Sequence, residues 1–272
     1  MTWSRNVLVY LLLTVGAVLT LGPFLLAVSA SLKTTRQFAT GTPLAPPNPF
    51  TLANYTGLAD AGFGRAALVT VLMTAIIVIG QLTFSVLAAY AFARLRFPGR
   101  DGLFWVYLAT LMIPATVTVV PMYLMLTQVG LRNTFWALVI PFMFGSPYAI
   151  FLLREHFRTI PDDLIRAARV DGATAWQRFR RITLPMLRPT FFFVLVTGVV
   201  SAVQTFDTVY ALTSGGPQNR TDLAAHRVYA EAFEAAHVGR SAAMSLILFL
   251  ILVTITVIQH RYFRARVSYD LV

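Results

Sequence analysis

Side chains able to act as acid, base, nucleophile or metal ligand are few in this chain and do not gather. Its 272 residues hold 11 carboxylates, 4 histidines and no cysteine, so disulfides, thiolate metal sites and thiol nucleophiles are excluded. His156, His226, His237 and His260 have no metal-ligand spacing, and the segment from His226 to His237, with Glu231 and Glu234, reads as a solvated loop helix. No Gly-x4-Gly-Lys-Ser/Thr run is present to cradle nucleotide phosphates. No serine or carboxylate constellation assembles a catalytic centre, so the chain is expected not to be an enzyme. What remains is one acid and one basic island. Asp207 lies in the run VQTFDTVYALTSGGP, where Gln204, Asp207 and Tyr210 recur at i, i+3 and i+6 along one helical flank. Amide, carboxylate and aromatic groups of this kind bind hydroxyl-rich solutes.

The basic island, residues 154–189, reads REHFRTIPDDLIRAARVDGATAWQRFRRITLPMLRP and carries eight arginines between two long apolar runs. Asp162 and Asp163 follow Pro161, so a helix is predicted to start there, with a carboxylate accepting first-turn amides and opposing the positive end of the dipole. Leu164, Ala167 and Ala168 give it one small apolar face. Gly172 ends it, and Thr174 is placed to cap a second helix carrying Trp176, Phe179 and Ile182 until Leu184-Pro185 breaks the pattern. The product is a helix-turn-helix with small residues on one face and arginines elsewhere.

Composition defines the medium in which these polar features must be held. Hydrophobic residues make up 57% and charged residues 12%, against about 45–50% and about 25% in soluble domains. This predicts an all-α integral membrane protein, a single domain over 1–272. The spans fall at about 7–30, 66–93, 103–126, 134–153, 190–212 and 242–260, six in all. The first exceeds the apolar core of a signal peptide and is read as an uncleaved helix despite the small residues Ala27-Val28-Ser29. Pro43, Pro46, Pro47 and Pro49 make residues 31–65 an irregular loop, and Pro114, Pro121, Pro141 and Pro147 mark positions where the third and fourth spans can kink. A cytoplasmic N-terminus puts 15 basic residues inside and 7 outside, which favours both termini and the island on the cytoplasmic side. The net charge of +11 is then a matter of topology, and no nucleic acid partner is implied. Within a span, Asp207 would cost about 2.5–3.5 kcal/mol and mark a pathway; near the outer interface it would be hydrated or paired with an arginine of a partner subunit.

Arg166-Ala167-Ala168, three residues, Gly172, nine residues, Ile182, one residue and Leu184-Pro185 resemble the EAA loop of ABC-importer permeases, Glu-Ala-Ala-x3-Gly-x9-Ile-x-Leu-Pro. Asp171-Gly172-Ala173 is similar to the Asp-Gly-Ala of the sugar-importer branch. SLKTTRQF, PNPFTLANY and AYAFARLRFPGRD resemble segments of the second permease of maltose- and glycerol-phosphate-type importers. The resemblance implies that 154–189 is a cytoplasmic coupling helix-turn-helix seated in a cleft of an ATPase, with Arg166, Ala167, Ala168, Asp171, Gly172, Ala173, Phe179, Ile182, Leu184 and Pro185 as its coupling residues. Arg166 stands where the family has glutamate, so that glutamate's ion pair does not carry over. FDTVYALTSGGP is closer to the first permease of such systems, and Gly215, Gly216 and Pro217 open an outer loop, 214–220, that in relatives reaches into the binding protein's cleft.

The resemblance further implies a permease in the inner membrane of a bacterium or archaeon, in contact with membrane lipid. Its partners would be a second, different permease, two ATP-binding subunits that hold ATP and magnesium, and an extracytoplasmic solute-binding protein delivering a sugar-like substrate. No cofactor or metal is expected in this chain. The alternative from a different class is a transporter or channel subunit driven by an ion gradient. Such proteins carry several intramembrane ionisable groups and inverted repeats, whereas this chain offers one such group.

Overall fold

The computed structural model describes residues 2–42, 44–216 and 221–264. Helices account for all of its regular structure, with no strand among the described residues. In chain order they are α1 (Thr2–Ser31), α2 (Thr35–Thr40), α3 (Ala53–Thr56), α4 (Phe63–Arg94), α5 (Arg100–Ala109) with a 3-10 turn to Met112, α6 (Ala115–Gln128), α7 (Phe135–Met143), α8 (Pro147–Thr159), α9 (Asp162–Val170), α10 (Ala175–Arg178), a π turn (Phe179–Thr183), α11 (Leu184–Met186), α12 (Arg188–Val203), α13 (Asp207–Leu212), α14 (Ala224–Tyr229) with a π turn to Glu234, and α15 (Val238–Arg264).

Among the described residues, four helical stretches are long and apolar enough to cross a membrane: Asn6–Ser31, Phe63–Arg94, Phe135–Thr159 (α7 followed by α8) and Val238–Phe263. Two bent pairs bring the number to six when each is counted as one span. The expected third span, 103–126, is not one helix. It breaks at Ile113-Pro114, where proline holds the preceding residue in extended backbone (φ −85°, ψ 116°), and the two halves meet at 102°. The expected fifth span, 190–212, is also divided, since α12 stops at Val203 and a new helix begins at Asp207.

The chain folds as two compact units, one of residues 1–67 and 224–251, the other of 68–223 and 252–272. In the first unit no residue from Asn6 through Ala30 is buried, the expected state of an apolar helix whose solvent is lipid. Its core is Leu58, Phe63, Ala224, Ala243 and Met244. The Asn54 amide donates to the carbonyls of Ser31 and Lys33, both at 2.8 Å, satisfying groups at the end of α1.

The second unit holds the basic island. Beneath the island, Val86 and Ala89 of α4, Phe104 of α5, Ile150, Leu153 and Phe157 of α8, Ile160 and Leu187 form one buried cluster. A separate cluster of Met73, Ile77, Leu138, Val139, Val209 and Leu223 packs α4 against α7 and α13. Gly80 permits close approach there, because a Cβ at that position would lie 2.6 Å from the Met143 carbonyl oxygen.

Candidate functional site

The helix-turn-helix read from the island is present. Helix α9 starts at Asp162 and ends at Val170, and Gly172 turns the chain with φ +80°, a conformation only glycine adopts without strain. Thr174 then caps α10 through a capping box, its hydroxyl accepting from the Gln177 amide while the Gln177 side chain accepts from the Thr174 amide. Asp162 and Asp163 do not act as expected. Neither caps the helix, whose N-cap position is Pro161 with no side-chain bond. Their charges still oppose the dipole, but each carboxylate is drawn to an arginine instead, Asp162 to Arg94 and Asp163 to Arg166.

Nothing in α9 is buried. Leu164 and Ala167 of the expected apolar face are exposed and Ala168 is half-buried, while Val170 is 87% and Trp176 66% exposed. Exposed apolar groups rimmed by arginines on a projecting helix pair have the composition of a contact surface. Arg166 is exposed and donates to Asp163 Oδ1 at 2.7 Å. Asp171 is the C-cap of α9, and Ala173 closes the turn through its amide to the Ala168 carbonyl at 2.9 Å and its carbonyl to Arg178 at 2.6 Å.

The projecting pair is fastened to the unit at three points. The Arg94 guanidinium, at the last residue of α4, binds the Asp162 carboxylate and donates to the carbonyls of Phe157 at 2.6 Å and Ile160 at 2.7 Å. Tyr90, one turn earlier, stands edge-on to both Phe157 and Phe179, with ring centroids 5.7 and 5.6 Å away, and Phe179 in turn stacks on Trp176. His156 of α8 meets the Met186 carbonyl through Nε2 at 2.9 Å and the Thr190 hydroxyl through Nδ1 at 2.8 Å. A carbonyl only accepts, so Nε2 donates to Met186, and in the neutral ring Nδ1 then accepts from the Thr190 hydroxyl.

The second helix does not stop at Leu184-Pro185. It widens into a π turn over Phe179–Thr183, with the Leu184 amide bonded to the Phe179 carbonyl, and runs on to Met186. In an α-helix Pro185 would lose its bond and collide with the carbonyl four residues back. A π turn directly before it has already shifted the pairing by one residue. The bend comes at Leu187 instead, where the chain turns by 70° into α12, and Ile182 is half-buried while Thr183 and Leu187 are buried beneath it.

Gln204, Asp207 and Tyr210 do not share one helix. Gln204 is the C-cap of α12 and Asp207 the first residue of α13, with Thr205 and Phe206 between. A carboxylate is favoured at a helix N-terminus and penalised inside an apolar one, which is the physical sense of the break. All three side chains are exposed, and Tyr210 stacks on Phe206 at 5.4 Å. Of the loop after α13, Ser214 and Gly215 have positive φ (45° and 76°). The Gly216 amide bonds to the Thr213 carbonyl at 2.8 Å, and the buried Thr221 donates to the Gly216 carbonyl at 2.5 Å. Pro217 and residues 218–220 lie outside the described residues.

Residues 81–269 match the family model described as binding-protein-dependent transport system inner membrane component. The chain belongs to this permease family. It is similar to the sn-glycerol-3-phosphate transport system permease protein UgpE of Yersinia pestis, with 35% identity over 189 residues, 66% of either protein. It is also 33% identical over 180 residues to the diacetylchitobiose uptake system permease protein NgcG of Streptomyces coelicolor, 65% of this chain and 59% of the relative. The alignments therefore span about two thirds of the length of the curated relatives. In fold it resembles a chain of a bacterial ABC transporter involved in the import of the acidic polysaccharide alginate, with a TM-score of 0.79 over 95% of this chain and 96% of the other at 20% identity. A chain of the MetNI methionine ABC transporter in an inward-facing conformation is more distant, at a TM-score of 0.57 and 18% identity over 76% of this chain and 96% of the other.

Three residues of this inner-membrane component escape sequence reasoning. Arg94 is legible only as a charge that sets topology, His156 only as a scattered histidine, and Tyr90 only as an aromatic in a span. Each finds its partners 30 to 89 positions away, and no local pattern names them.

Proposed function

We propose that the chain is the permease subunit of an ATP-driven importer and that residues 154–189 are its coupling element. The carrying observation is a helix-turn-helix that exposes Leu164, Val170 and Trp176 and is fastened to α4, α8 and α12 through Arg94, Tyr90 and His156. Such an element seats in a cytoplasmic ATPase and passes its displacement to the spans as a lever biasing one two-state equilibrium. ATP and magnesium are held by two partner ATPase subunits, a second permease completes the pathway, and both termini face the cytoplasm, with 15 basic residues inside and 7 outside.

The solute is polyhydroxylated, a sugar or sugar-like molecule, delivered by an extracytoplasmic binding protein. Relatives that serve sn-glycerol-3-phosphate and diacetylchitobiose support this class, as does the exposed set Gln204, Asp207 and Tyr210, which we place along the solute path. The loop from Ser214 through residue 220 contacts the binding protein. Co-purification of the tagged chain tests the assembly, and ATPase activity of Gly172→Pro tests the coupling. The expected outcome is recovery of an ATPase and a second permease, with hydrolysis no longer stimulated by the loaded binding protein in the variant. A chain that purifies alone and transports without ATP would sink the reading in favour of a gradient-driven transporter.

A further inference from the structure

A second charged site lies where the start of the island, Arg154 and Arg158, meets the first turn of α5. Between the first turn of α5 and the last turns of α8, a cleft of 290 Å³ is lined by Arg100, Asp101, Phe104, Trp105, Arg154 and Arg158, among others. Its floor is the buried Arg154, whose guanidinium lies 3.9 Å from the centroid of the Phe104 ring. The same guanidinium meets Glu155 at 2.8 Å and Asp101 at 3.6 Å. Both carboxylates also face a second arginine, Asp101 facing Arg100 at 3.1 Å and Glu155 facing Arg158 at 3.5 Å. Three guanidinium groups against two carboxylates leave the cleft one positive charge in excess, and Arg96 adds another from an adjoining cleft that shares Arg100 and Asp101. Guanidinium groups in excess at a concave site suit a phosphate oxyanion, which they bind with forked hydrogen bonds.

What surrounds the cleft selects among phosphates. From its second turn α5 turns apolar while staying exposed: Leu103 is 56%, Trp105 69% and Val106 67% exposed. Charge thus gives way to bare apolar surface within one helical turn, with a tryptophan at the boundary, the arrangement found at the headgroup level of a bilayer. A ligand that satisfies both halves carries a phosphate on an apolar body. We infer that this cleft binds the phosphodiester headgroup of an anionic membrane lipid, whose chains lie against Leu103, Trp105 and Val106. Basic pockets at the ends of membrane helices hold such headgroups by the same electrostatics.

The test is native mass spectrometry of the detergent-purified full chain titrated with phosphatidylglycerol, phosphatidylcholine or inorganic phosphate. Arg154 is left intact because it is buried, and the variants are Arg158→Gln, Arg100→Gln and the charge-keeping Arg158→Lys. The expected result is selective retention of phosphatidylglycerol, an affinity about fivefold lower for each glutamine variant, and a smaller loss in Arg158→Lys, which keeps the charge but not the fork. Equal retention of the two lipids, or retention of phosphatidylglycerol unchanged in Arg100→Gln and Arg158→Gln, overturns the site. Inorganic phosphate bound as tightly as phosphatidylglycerol would make it a soluble-phosphate site and remove the lipid. Should Arg100→Gln lower the unfolding temperature, Arg158→Gln alone decides, since that side chain is more than half exposed and its ion pair is with the part-exposed Glu155.

Discussion

Arg94 and Asp162, 68 positions apart, are joined in an ion pair that ties the last residue of α4 to the first residue of α9. The same guanidinium takes up the carbonyls of Phe157 and Ile160, which close α8 and would otherwise end unsatisfied. This one side chain thus joins the ends of α4 and α8 to the start of α9.

Replacing Arg94 by alanine leaves two carbonyls and a carboxylate without their donor, and the expected loss of stability is about 2–3 kcal/mol. Lysine should recover only part of it, because an ammonium cannot reproduce a planar fork. Asp162→Ala should cost less than about 1 kcal/mol, since that carboxylate is 67% exposed. Thermal unfolding of the three variants in detergent gives the ranking. Equal losses for Arg94→Ala and Asp162→Ala would mean the carbonyl bonds contribute nothing.

At Gly172 the backbone has φ +80° while the space that an added methyl group would fill is open. Gly172→Ala is then a test of backbone strain alone, with an expected cost of about 1–2 kcal/mol. Gly172→Asn should be milder, because asparagine enters the left-handed region more readily than alanine. Unfolding temperatures that do not distinguish the two variants would show that the turn does not depend on this conformation.

His156 spans the bend between α11 and α12 by bonding Met186 on one side and Thr190 on the other. His156→Leu keeps the packing volume and removes both bonds. Amide hydrogen exchange at residues 186–191 should accelerate in this variant, by roughly tenfold for about 1.4 kcal/mol of lost protection. Unchanged exchange would assign the bend to Pro189 and the buried Leu187 instead.

Gly80 faces the backbone of α7, and an added methyl would lie 2.6 Å from the Met143 oxygen. A backbone atom cannot rotate aside, so Gly80→Ala must separate the helices, at an expected cost of about 1–3 kcal/mol. A stability equal to that of the parent protein would refute this close packing of α4 and α7.

Asp207 is exposed and has no ion pair among the described residues, so Asp207→Asn should change stability by less than about 0.5 kcal/mol. If the carboxylate binds solute, uptake should fall about tenfold or more, the effect of losing a charged hydrogen bond. Uptake at the parental rate would remove Asp207 from the solute path.

How much of the protein was legible in the sequence depends on how far each signal reaches along the chain. The membrane class, the number of apolar runs, the N-terminal start of α9 at Asp162, the Gly172 turn and the Thr174 cap all follow from residues within a few positions of one another, because length, capping and glycine conformation are local physics. The same rules named Pro114 only as one of four prolines where a span can kink; they read 103–126 as one span, whereas Pro121 and Pro141 stay inside helices and the break falls at Pro114. They misplaced the end of the second island helix, because Pro185 is tolerated once the turn before it widens to a π turn. They also joined Gln204 to Asp207 in one helix, because i, i+3 spacing says nothing of whether the backbone between stays helical. Only the tertiary structure decided that Arg94 clamps Asp162, that His156 spans the bend and that Arg100, Arg154 and Arg158 share a cleft. Those pairings depend on which helix ends the packed core of Leu153, Phe157 and Leu187 brings together. A charged side chain announces its type in the sequence, while its partner is fixed only when the apolar faces have chosen theirs.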